Sequence, residues 1–201
     1  MLDNKDCGLC GDTTCLEFRK NVEQGLKNIS ECPFNKKESN ISNSDYENKD
    51  MHGNEYDFLL KPIGNEISAR KIVKPFRTEL IEKLNIKKGS YISGRPVSAG
   101  CPVTHILKVF DIDELSGLLY AWVVGPKYAR ENEVIDIRSY EMIGFEGIAD
   151  NVKERPAIGK AAGFLPCLCM LQLTHYGLVN KVLSTQEGIV VRIEDIHVAR
   201  R

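Results

Sequence analysis

The chain has 201 residues, of which 42% are hydrophobic, and its 27 Lys and Arg against 28 Asp and Glu give a formal net charge of −1. That size suits one medium domain with a small appendage. The near-zero charge, without a basic face or recognition motif, argues against a nucleic-acid partner. No apolar run reaches the roughly 20 residues of a membrane-spanning helix, so no membrane insertion is expected.

The opening "MLDNKDCG" is polar and lacks the apolar core of a secretory signal, so the expected location is cytoplasmic. Thiols stay reduced there. The seven cysteines therefore read as metal ligands or redox groups, not as a disulfide framework. Composition divides the chain into a cysteine-dense region 1–35, a polar region 36–56 and an apolar-rich region 57–201.

In the first region, "DCGLCGDTTCLEF" and "ECPF" place Cys7, Cys10, Cys15 and Cys32 close together. Thr14 and Glu17 have capping-box spacing, and Cys15, Phe18, Val22, Leu26 and Ile29 recur at a helical period. The spacing predicts a helix that starts at Cys15 and carries it on the apolar face. Cys7 and Cys10 sit on a tight loop, where Gly8 and Gly11 allow unusual backbone angles and bring amide groups near bound sulfide. Four thiolates suit an iron–sulfur cubane, while a structural zinc site or a thiol redox centre uses the same ligands.

The pattern Cys-x2-Cys-Gly-x3-Cys, then a helix, then Cys32-Pro33, resembles a known module. That module occurs in the large subunit of the corrinoid iron–sulfur protein and in the B subunit of Rnf-type electron-transport complexes. The resemblance covers about the first thirty-five residues. It implies that Cys7, Cys10, Cys15 and Cys32 ligate a [4Fe-4S] cluster, and it implies no particular reaction.

Region 36–56, "KKESNISNSDYENKDMHGNEY", has too little apolar surface to offset its ordering entropy and reads as a flexible polar linker. The rest reads mostly as strands. "ILKVFDI" and "GLLYAWVVG" flank Asp113–Ser116 as a hairpin, and "LVNKVLS" and "GIVVRIEDIHV" flank "TQE" as another. Between them "EVIDIRSYEMIGFEGIA" reads as one long or bent strand, with Gly144 and Gly147 marking a bulge. Thr78–Leu84 reads as a short helix. The expected fold class is α+β: a small helical iron–sulfur module linked to a β-rich domain, barrel-like or sandwich-like.

Within the β-rich region, "SAGCPVTH" holds Cys101 and His105, and "FLPCLCMLQLTHYG" holds Cys167, Cys169 and His175. These five could form a second metal site or a pocket for a cofactor or substrate, with Cys101, Cys167 and His175 as candidate catalytic residues. "GRPVSAGCP" has the small residues and prolines of a loop approaching a ligand, and Arg95 could meet an anion there. Against this, free cysteines are commonly buried as small apolar groups. Cys167 and Cys169 would share one face of an extended segment, and His105 could simply bond a backbone carbonyl. The stretches "GRPVSAGCPVTH" and "GFLPCLCM" are similar to those of predicted iron–sulfur proteins of anaerobic archaea.

Three functions follow. The first is electron transfer in anaerobic metabolism, in which a tethered cluster serves a redox partner protein or a larger complex. The second is a reductase, or an activator of a metal cofactor, with its site around Cys101 and Cys167–His175. The third is an assembly or accessory factor.

Overall fold

The computed structural model of the chain describes residues 6, 8, 10–32 and 48–199. Cys7, Pro33 and most of the predicted linker lie outside the described residues.

The helix of the first region, α1, runs Cys15–Glu23. Thr14 caps it, its hydroxyl accepting from the Glu17 amide at 3.1 Å. The reciprocal half of the box is displaced by one residue, because the Glu17 carboxylate accepts from the amide and hydroxyl of Thr13 at 3.0 and 2.6 Å. The helix is shorter than its apolar period suggests. Gly25, at φ +70°, closes it with bonds from its own amide to Val22 and from the Leu26 amide to Asn21. Leu26 is consequently 71% exposed, and Ile29 falls in a separate 3₁₀ turn, Ile29–Glu31. Phe18, 1% exposed, is the buried anchor of the module.

Residues 48–56, expected to be linker, are attached to the β-rich body. Lys49 and Glu55 form a bridge, and Tyr56 and Asp50 are buried. Burial alone would raise the Asp50 pKa. Bonds from the Thr174, His52 and Asn54 amides and the Asn54 side chain outweigh it and hold the carboxyl well below the usual range.

The body consists of β1 (Phe58–Lys61), β2 (Arg70–Pro75), α2 (Leu80–Lys83), β3 (Tyr91–Pro96), β4 (His105–Asp113), β5 (Leu118–Val123), α3 (Pro126–Glu131), β6 (Val134–Asp150), β7 (Ala161–Pro166), β8 (His175–Thr185) and β9 (Gly188–Val198). Both expected hairpins form, β4–β5 and β8–β9. Thr185 pairs with Gly188, so the second turn is tighter than "TQE" implies. The long strand is β6, and its bulge lies at Ile143, where pairing with β2 steps from Gly144 to Met142.

Strand β6 organises the body. The pairings close one circuit through β1, β7, β8, β9 and β6, and a second through β6, β2, β5, β4 and β3. All contacts are antiparallel except β1–β7 and β3–β6. The strands approach closely at Gly144, where an added Cβ would lie 2.6 Å from the Ile193 carbonyl oxygen on β9. One core spans both circuits, with Phe58, Leu60 and Phe164 from the first, Val73, Ile92, Leu107 and Leu119 from the second, and Tyr140 and Phe145 from the shared strand.

Candidate functional site

Two groups of side chains carry chemistry. In the module, Cys10 lies in a turn closed by the Gly11 amide donating to the Gly8 carbonyl at 3.0 Å, with φ of +68° at Gly8 and +87° at Gly11. Such angles favour glycine and turn amides toward a bound anion. Cys15 is the first residue of α1, at the end of the helix where the dipole favours a bound anion. Its amide donates to Asp6 Oδ1 at 2.6 Å, and the Asp6 amide approaches Cys15 Sγ at 3.4 Å.

Cys32 follows the 3₁₀ turn and acts electrostatically on Cys10. Burial pushes the Cys10 thiol up, and the charges of Asp12 and Cys32 push the same way. Bound iron reverses that balance, since a coordinated thiol is deprotonated. Lys27 opposes the excess negative charge. Its Nζ donates to the Cys10 carbonyl at 2.7 Å and pairs with buried Asp12 at 2.9 Å.

Cys10, Cys15 and Cys32 are half-buried and free of disulfides. Thiol donors on a positive-φ loop, at a helix start and beside a lysine fit an iron–sulfur centre. Among the described residues, no three His, Cys, Asp or Glu side chains are arranged to hold a metal ion. The fourth cysteine of the pattern, Cys7, is not among them.

The module rests on α3. A Cβ added at Gly8 would lie 2.9 Å from the Tyr128 ring, the Tyr128 hydroxyl reaches the Thr13 carbonyl at 3.5 Å, and Lys127 lies 3.7 Å from Glu17. Tyr128 stacks on Tyr91 at 5.5 Å and packs, with Leu168, against a small apolar cluster around Ile67 and Val124.

Leu168 leads to the second group. A cavity of about 30 Å³ gathers all five residues singled out in the β-rich region, Cys101, His105, Cys167, Cys169 and His175, together with Lys71. Its walls come from both circuits: Lys71 from β2, His105 from the start of β4, Phe145 from β6 and His175 from the start of β8.

Cys167 and Cys169 do not lie on an extended strand. They flank Leu168 at φ +68°, a conformation a bulky residue adopts only when its surroundings impose it. His105 does not bond a backbone carbonyl. Its Nδ1 lies 2.8 Å from the Tyr140 hydroxyl and 3.1 Å from Lys71 Nζ, and its Nε2 lies 4.0 Å from Cys101 Sγ. The carbonyl partner belongs to His175, whose Nδ1 donates to Leu173 at 2.9 Å. That bond leaves His175 Nε2 as the acceptor nitrogen.

Burial pushes His105 down to about 3 and His175 down to about 4, so both rings are neutral at pH 7. Burial also pushes the Tyr140 hydroxyl up. Arg95 is exposed and does not line the cavity. Sequence reasoning missed Lys71; the signal that could have found it is its register, since it shares one face of the chain with buried Ala69 and Val73.

Known proteins support the module and the whole chain separately. Residues 2–34 match the family described as "Putative Fe-S cluster". The chain is 32% identical over 212 aligned positions to the "Uncharacterized protein MJ0119" of Methanocaldococcus jannaschii, covering 95% of this chain and 87% of that protein. No solved structure matches. Among the described residues, no helix is long and apolar enough to cross a membrane. The chain is thus an iron–sulfur protein, and it belongs to the family that includes this Methanocaldococcus protein.

Proposed function

We propose that the chain is a redox protein in which one [4Fe-4S] cluster, on Cys7, Cys10, Cys15 and Cys32, carries electrons to the cavity of the β-rich body. The observation that carries this reading is the seating of the module: the cysteine loop rests on Tyr128, and Tyr128 and Leu168 pack on one apolar cluster. When bound, the cluster supplies one-electron chemistry at low potential. The chain's own residues hold it and set its surroundings. Lys27 offsets thiolate charge, the Asp6 amide faces Cys15 Sγ, and Tyr128 shields the loop from water. At the far end, neutral His105 and Tyr140 form a buried proton relay beside Lys71.

The test is the potential of the cluster. Tyr128→Ala exposes the loop, and solvent exposure shifts the potentials of such clusters. The reading expects a shifted midpoint potential and an altered electron paramagnetic resonance spectrum, with iron content unchanged. A potential and spectrum indifferent to Tyr128 contradict a seated module.

A second reading is delivery to a separate redox partner or complex in anaerobic metabolism, as the resemblance to the Rnf and corrinoid-protein modules suggests. Leu16 and Leu26 favour it, because they are 61% and 71% exposed on the module and offer apolar surface to a docking protein.

A further inference from the structure

We propose that the cavity beside Lys71 is a binding site for a small, carboxylate-sized monoanion, held on the Lys71 ammonium and enclosed by Cys101, His105, Cys169 and His175. As the substrate class of the pocket described above, this rests on that reading. Its binding test needs no electrons, so the two fail separately.

Lysines on a sheet normally run their methylenes along the surface and keep the ammonium in water. Lys71 does not. It is 6% exposed, in register between Phe145 of β6 and Ala121 of β5, with its Nζ 5.3 Å from the Phe145 ring centre. An ammonium has three donors. The hydrogen-bond contact of this one is His105 Nδ1 at 3.1 Å, and Tyr140 approaches the same nitrogen at 2.8 Å. One ring nitrogen offers a single lone pair, so at most one Lys71 donor is satisfied there, and at least two have no acceptor among the described residues.

Among the described residues, no carboxylate serves as counter-ion. The cavity is lined by no Asp or Glu, and the neighbouring Glu146 is engaged by Arg70 at 3.0 Å and Lys181 at 3.7 Å. Burial pushes Lys71 down to about 8, which leaves it mostly protonated at neutral pH. A buried cation without a counter-ion is costly, and an anion entering the cavity supplies what is missing.

Size and charge define the ligand. About 30 Å³ holds a group of two or three heavy atoms, and a single cation favours a single negative charge. Val103, Val123, Phe145 and Pro166 make the walls apolar, which strengthens the ion pair and excludes bulkier or more polar groups. The imposed backbone angle at Leu168 lies between Cys167 and Cys169, both of which line the cavity.

The test uses the full chain, anaerobically purified and oxidised, with sodium formate as probe. Expected is saturable one-to-one binding, read by calorimetry and by the ¹⁵N shift of Lys71 Nζ. Sodium benzoate, too large for the cavity, should not bind. Lys71→Met should weaken formate roughly tenfold to a hundredfold, whereas Arg95→Ala should leave it unchanged. The Nζ shift in the unaltered chain reports binding even if Lys71→Met folds poorly.

Equal formate affinity in Lys71→Met overturns the proposal. So does an unmoved Nζ shift, or a Cys101 or Cys169 thiol that alkylates below neutral pH without formate binding, because a thiolate is then the counter-ion. Formate binding that leaves the cluster's potential unmoved supports this proposal and counts against electron delivery to the cavity.

Discussion

Replacing Lys71 with methionine should make the protein more stable at neutral pH, although it removes a buried hydrogen bond. Methionine keeps the length of the side chain and deletes the charge. Lowering the lysine pKa from 10.5 to about 8 corresponds to about 3 kcal/mol against the charged form in the fold. Losing the bond to His105 returns about 1 kcal/mol. The net expectation is a gain of about 2 kcal/mol, or about 4–8 °C in Tm for a chain of this size.

The sign of the pH dependence is fixed. Below about 8, Lys71 is charged in both folded and unfolded chains and the penalty is complete. Between about 8 and 10.5 only the unfolded chain keeps the proton, so the penalty disappears and the advantage of methionine with it. Anaerobic urea titration at pH 7 and pH 10, followed by the fluorescence of the single tryptophan, Trp122, measures both. Trp122 of β5 stacks on Phe110 of β4 at 4.5 Å and reports on the body. A methionine variant less stable than the parent at pH 7 refutes the reasoning, because the ammonium would then already have its counter-ion inside the protein.

Stability should also fall as the pH drops below 6.5. His105 and His175 stay neutral in the fold to about 3 and about 4 but charge near 6.5 when unfolded, so about 3 kcal/mol should be lost between pH 6.5 and 5; urea midpoints that do not move contradict their burial. Gly8→Ala places a Cβ on a φ of +68° and against the Tyr128 ring, so it should lower iron content while urea unfolding of the body stays unchanged. Gly144→Ala should destabilise the body by about 3 kcal/mol or more, since the Ile193 carbonyl at 2.6 Å is backbone and cannot move aside. Asp50→Ala should cost about 3 kcal/mol, measured by urea, by leaving the Thr174 and Asn54 amides without their acceptor.

The two hairpins and the long strand were legible because turn residues bracket clear apolar runs. β7 was not, since "AAGFLP" has little strand propensity and is held by pairing with β1 and β8. Strand β1 has only four residues, too short for a period. Helix α3 starts at Pro126, a favourable first position, but the preceding apolar run reads as continuing strand. The end of α1 was written in Gly25, and the longer helical period of Leu26 and Ile29 obscured it.

The five cavity residues were recognisable by type, though no local pattern could show that segments around 101, 167 and 175 meet. Lys71 escaped because nothing local in "RKIVKP" marks one of its two lysines as buried. The position of Lys71 between Ala69 and Val73 was the available signal. Arg95, the cation the sequence favours for an anion, faces solvent instead.

The most direct measurement is iron and acid-labile sulfide, counted on the anaerobically purified full chain and on single serine variants of its cysteines. About four irons and four sulfides per chain are expected. Ser at position 7, 10, 15 or 32 should sharply reduce both counts, whereas Cys101→Ser and Cys169→Ser should leave them intact. Zinc in place of iron, or counts indifferent to the first four cysteines, would contradict a redox cluster at the N-terminus.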